Sequence, residues 1–101
     1  MKARVRFYRK VILIHARSAQ MAIAELKVWD VPQSSHYPEG LKYSLFLVAK
    51  DSGMVIIGFD NHKPKGPHLH HDGIEMAYKF SGEESLVDDF WHWVKKEGFI
   101  L

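Results

Sequence analysis

Four of the chain's seven histidines, His62, His68, His70 and His71, fall within ten residues, in the run Asp60-Asn61-His62-Lys63-Pro64-Lys65-Gly66-Pro67-His68-Leu69-His70-His71. Histidine exchanges a proton near neutral pH and is the commonest metal ligand, so imidazoles interleaved with an Asp, an Asn and two Lys mark a place for chemistry. Three readings compete. In the first, His68 and His70 act as general acid and base, Lys63 and Lys65 hold a phosphate, and Asp60 orients a histidine tautomer or a lysine. Those are the groups needed to cleave RNA through its own 2′-hydroxyl without a metal. In the second, His68 and His70 bind a divalent metal together with Glu75 or Asp60, because two histidines at i, i+2 of a strand point the same way and a carboxylate completes the set. In the third, the histidines are polar surface residues without chemistry, a reading that four in ten residues weigh against. Asn61 and His62 join the candidates for substrate contact, although Asn61 suits a turn equally well. Gly58, just upstream, has no side chain and permits close approach of another group. His15, His36 and His92 are isolated, and His92, beside Trp91 and Trp93, reads as structural.

The elements that must position this window follow from periodicity and turn chemistry. Residues 3–14 open with Val5 and Phe7 alternating against Arg4 and Arg6, a half-buried strand with a basic outer face. Residues 19–31 fit a helix or a strand, with alanines favouring helix, and Pro32 ends the element either way. Residues 41–49 and 54–59 read as an antiparallel hairpin turning at 51–53. Asp72-Gly73 is a second hairpin signal, of the two-residue kind that suits a type I′ turn. It pairs His71 with Ile74, His70 with Glu75, Leu69 with Met76 and His68 with Ala77. The faces then separate: Leu69, His71, Ile74, Met76, Tyr78 and Phe80 form a core-facing set, and His68, His70, Glu75 and Lys79 a polar one. The last element is the clearest helix, about 82–97, with Ser81 and Glu84 as a capping box, an apolar stripe of Leu86, Val87, Phe90, Trp93 and Val94, and Gly98 as the stop. The fold class expected is α+β: one domain, 1–101, with a mostly antiparallel sheet of about five strands and the C-terminal helix packed on one face.

At 101 residues with 47% hydrophobic content the chain supports one small core. Without cysteine it has no disulfide, thiol nucleophile or thiolate metal site. No apolar run approaches the roughly 18 residues of a membrane span. The start lacks the pattern of a secretory signal, so a cytoplasmic location is expected. The net charge of +2 hides an uneven distribution: residues 1–24 hold six Lys/Arg and no acid, while residues 72–97 hold seven acids against three Lys. The basic ribbon either extends a phosphate track through Arg4 and Arg6 or pairs with the acidic segment of its own fold.

The segments Leu41-Lys42-Tyr43-Ser44-Leu45, Gly58-Phe59-Asp60-Asn61-His62, Lys65-Gly66-Pro67-His68-Leu69-His70, Tyr78-Lys79-Phe80 and Asp89-Phe90-Trp91 resemble the TumE-type toxin components of bacterial and archaeal toxin–antitoxin systems. The resemblance spans nearly the whole chain, and its specific part is the aspartate-asparagine pair, the lysine-glycine step and the His-x-His. It implies strand for residues 20–29, a cognate antitoxin as partner, and Asp60, Asn61, Lys65, His68 and His70 as the matching site positions. Many such toxins attack RNA, which agrees with a metal-independent endoribonuclease; no cofactor is then needed, a divalent metal being the alternative. The endoribonuclease is the leading reading; the alternatives are a metal-binding His/His/carboxylate hydrolase, or a non-enzymatic binding module for protein or nucleic acid whose exposed sheet face is open to homodimerisation or antitoxin docking.

Overall fold

The computed structural model describes residues 3–101. Its elements run β1 (Arg4–His15), β2 (Met21–Asp30), β3 (Leu41–Ala49), β4 (Val55–Asp60), β5 (His68–His71), β6 (Ile74–Ala77), α1 (Glu83–Lys96) and β7 (Phe99–Ile100). The first six strands form an antiparallel meander, and the chain returns through α1 to add β7 beside β1, so the sheet order is β6-β5-β4-β3-β2-β1-β7. This is the expected α+β architecture with seven strands instead of about five. The strand hardest to foresee, β7, has only two residues and is too short to show an alternation.

Residues 21–30 settle as strand, and the reason is burial. Ala22, Ala24, Leu26 and Val28 are each at most 1% exposed, while the residues between them face the other way. A central strand of a sheet covered on one face needs that period of two, and packing overrides the helical propensity of alanine. Tyr43, Leu45 and Leu47 of β3 lie opposite Val28, Leu26 and Ala24, and Phe59 and Ile57 of β4 continue the rows. Against this surface α1 buries Leu86, Phe90 and Val94, with Val87 and Trp93 partly buried at the margins. Phe90 meets Phe59 edge-on.

Two local expectations are corrected. Gly82, not Ser81, is the N-cap and gives no side-chain cap bond. Glu83 and Glu84 stand in the first turn instead, where negative charge meets the positive end of the helix dipole. Ile74 and Met76 stay 63% and 39% exposed, because β6 is an edge strand beyond the reach of a single helix, although Leu69, Tyr78 and Phe80 do join the core. The opposite face of the sheet is uncovered among the described residues and exposes Tyr8, Ile12 and Met21. No helix is long and apolar enough to cross a membrane among the described residues.

Phe90 is fully buried at the contact of helix and sheet. Phe90→Ala is expected to cost about 3–5 kcal/mol through lost burial and the cavity left behind, read from urea unfolding midpoints. A loss below about 1 kcal/mol, the level of a surface substitution, would show that α1 does not hold the sheet.

Candidate functional site

The β4–β5 ladder builds the site. Asp60 lies opposite His68 and Gly58 opposite His70, while Phe59 faces Leu69 and Ile57 faces His71. Successive side chains alternate, so Asp60, His68 and His70 project from the uncovered face and Leu69 and His71 from the helix face. The Asp72-Gly73 turn enforces this register: both residues have positive φ, 52° and 75°, as a type I′ turn requires, and all four expected β5–β6 pairs form. His71 is thereby separated from the other histidines, its Nε2 lying 3.1 Å from Glu97 and its ring against Trp93.

Asp60 and the two outward histidines converge. His68 Nε2 is 3.0 Å from Asp60 Oδ1, and His70 Nε2 is 3.6 Å from Asp60 Oδ2. The backbone N–H of His62 donates to Asp60 Oδ1 at 3.2 Å. The imidazoles are not equivalent. His68 is only 7% exposed, and its Nδ1 stands 2.7 Å from the carbonyl of Gly66. A neutral imidazole carries one N–H; spent on Gly66, it leaves a lone pair on Nε2 aimed at a carboxylate oxygen. The arrangement balances only with a second proton or another cation between ring and carboxylate. His70 is more open, its side chain 29% exposed. Phe46 lies 6.0 Å from it, ring to ring, and occupies the space above Gly58, where an added Cβ would overlap the Phe46 ring. The close approach at Gly58 is that of Phe46, a residue the local pattern around the histidines did not single out.

Lys65 reaches across to Glu75, with Nζ 2.9 and 3.0 Å from its two oxygens. The hydrogen bond and charge of Lys65 hold the Glu75 carboxyl below its ordinary range. Glu75 therefore sits beside the histidines as a lysine partner, and the carboxylate that converges on them is Asp60. Asp60, His62, Lys63, Pro64, Lys65, His68, His70 and Glu75 line an open cleft of about 340 Å³.

Three of the residues considered for substrate contact lie elsewhere. Asn61 is 3% exposed; its Oδ1 accepts the Tyr43 N–H and its Nδ2 donates to the Leu41 carbonyl, both at 2.9 Å. It ties the end of β4 to β3 and so positions Asp60. Arg6 falls in a bulge of β1, between the pairs Val5–Trp29 and Phe7–Val28, and binds Glu83 of α1 at 2.6 Å and Asp30 at 3.3 Å. Arg4 pairs with Asp30 in the same ladder. Two strands separate β1 from β4, and the basic ribbon meets the acidic helix of its own fold.

A family model described as Toxin TumE matches residues 3–97. No curated protein and no solved structure matches the chain.

Two outcomes follow from this geometry. Lys65→Met should return the Glu75 titration upward toward the ordinary carboxylate range, followed by NMR of the side-chain carboxyl; an unmoved titration would contradict the pairing. Because the folded-state value of Glu75 is the lowered one, whatever the pair contributes is present at neutral pH and is lost as the pH falls through that value. Asn61→Ala should destabilise the fold by about 1–3 kcal/mol, since it strands a buried N–H and a part-buried carbonyl of β3, measured by denaturant unfolding.

Proposed function

Because the chain belongs to the TumE toxin family, we propose that its cleft is the working site of a toxin directed at RNA, cutting the phosphodiester through the adjacent 2′-hydroxyl. The observation that carries this reading is His70: the more accessible of the two imidazoles that meet Asp60, its side chain 29% exposed, it stands beside a fixed Asp60–His68 pair in a cleft with two lysines on its rim. His68, with both ring nitrogens engaged, serves as a positioning residue. The proton-exchanging role therefore narrows from a histidine pair to one member of it.

In this reading His70 accepts the proton of the 2′-hydroxyl, the 2′-oxygen attacks phosphorus, and the 5′-oxygen leaves with a proton from water. The product is a 2′,3′-cyclic phosphate. Charge gathers on the phosphoryl oxygens, where Lys63 and Lys65 lie in reach of the cleft. Lysines so placed stabilise the transition state more than the ground state. Lys65 must exchange Glu75 for the phosphate, and a solvent-exposed ion pair costs little to break. The partner belonging to this reading is a cognate antitoxin.

Purified protein is incubated with RNA in excess chelator beside a His70→Ala variant. The wild type is expected to cleave, the variant to lose about 10²–10⁴-fold in rate, and a 2′-deoxy substitution at the cut site to block the reaction. Equal cleavage by both proteins, or none by the wild type, overturns the catalytic assignment; growth arrest without cleavage would then favour a binding module.

A further inference from the structure

We propose that Asp60, His68 and His70 form a binding site for a divalent ion of the zinc class. The three offer ligand atoms that all lie within 4.8 Å of one another. His68 Nε2 lies 3.0 Å from Asp60 Oδ1 and His70 Nε2 3.6 Å from Asp60 Oδ2, so each imidazole meets its own carboxylate oxygen at close to the spacing of ligands around one ion at bond lengths of about 2.0–2.2 Å. The donor set, two imidazoles and one carboxylate, suits zinc or its transition-metal neighbours; magnesium and calcium prefer oxygen alone. Two strand histidines at i, i+2 and a carboxylate across the ladder leave the cleft side of the ion open.

The observation that points to a cation is the donor count at His68. In the neutral ring its Nδ1–H is spent on the Gly66 carbonyl and the Nε2 lone pair faces Asp60, so the contact needs either a proton or a metal ion between ring and carboxylate. A backbone carbonyl on the remote ring nitrogen is the arrangement that fixes a metal-binding tautomer. Asp60 has its own supporting partner in the His62 N–H. An ion at this point neutralises the carboxylate and uses the lone pair that otherwise opposes it. Glu75 is not a ligand, because Lys65 holds both of its oxygens. The second cluster of ligand types, His71, Asp72 and Glu97, serves as the internal comparison: its Asp72 side chain is 72% exposed.

Occupancy would take the His70 lone pair, so the metal-bound protein is the silent form of the reaction proposed above. Only this consequence for activity rests on that reading; binding does not. Full-length protein stripped with chelator is titrated with zinc chloride by calorimetry and thermal melting. One ion per chain is expected, with a raised midpoint, binding weakened at least about tenfold in His70→Ala and Asp60→Ala, and no change in Glu75→Gln or Glu97→Gln. Cobalt(II) on the wild type gives a measurement independent of any variant's folding, and should give strongly contact-shifted ring signals in NMR for two coordinated imidazoles, His68 and His70, with His71 showing only the weaker through-space shift of a neighbour. No uptake by the wild type, or uptake lost in Glu97→Gln and kept in His70→Ala, overturns the site. One equivalent of zinc should abolish RNA cleavage. Cleavage that appears only with zinc would keep the site and overturn the metal-free reaction, and an absence of cleavage under all conditions leaves the binding result decisive.

Discussion

The pairing of Asp60 with His68 and of Gly58 with His70 across β4 and β5 is the constraint on which the site depends. Strand side chains have a period of two, so a slip of one residue would carry both imidazoles to the helix face and bring Leu69 and His71 outward. Three features hold the register. The Asp72-Gly73 turn fixes β5 against β6, the buried Phe59–Leu69 pair fixes β5 against β4, and Asn61 ties the end of β4 to β3 through two hydrogen bonds between its side-chain amide and the β3 backbone. None of these residues lines the cleft. The chemistry of the open face is set by packing and turn geometry beneath and beside it.

With the register held, four histidines with the same side chain acquire different properties from their surroundings. His71 is drawn to Glu97 and Trp93 on the helix side. His62 leaves the ladder and contributes its backbone N–H to Asp60. His68 is committed at both nitrogens, which immobilises it, and its neighbour His70 keeps solvent access against the Phe46 ring. Gly58 makes room for that last contact, so the lack of a side chain on one strand steadies an imidazole on the next.

A sheet with a single helix has one dry face and one wet face, and the division also governs the charges. The basic start of the chain and the acidic helix meet at Arg6 and Glu83, and Arg9 lies over the ring of Trp91. These contacts draw cationic side chains toward the helix, leaving the lysines of the 62–65 loop as the positive rim of the cleft. The same wet face exposes Ile12 and Met21 on the strands toward the other edge. One surface therefore combines a polar cleft with an apolar area that no element of the described fold covers.

Much of this is legible in the sequence, because local rules specify it. An Asp-Gly turn dictates its flanking pairs, strand alternation sorts His68 and His70 from His71, and the helix with its stripe follows from a 3.6-residue period. Local rules fell silent where two periods fit equally well, as in residues 21–30, where only burial between neighbouring strands selected the strand. They also could not supply partners distant in sequence. Asn61 and Arg6 have polar side chains suited to a substrate, and tertiary structure assigns them to Tyr43 and Leu41 and to Glu83. The sequence by itself determined where the proton-exchanging and metal-ligating side-chain types cluster and which of the clustered histidines share a face, since those depend on residue type and chain period. Only the tertiary structure decided that Asp60, and not Glu75, is the carboxylate they meet, because that choice depends on which strand closes beside β5 and where Lys65 reaches.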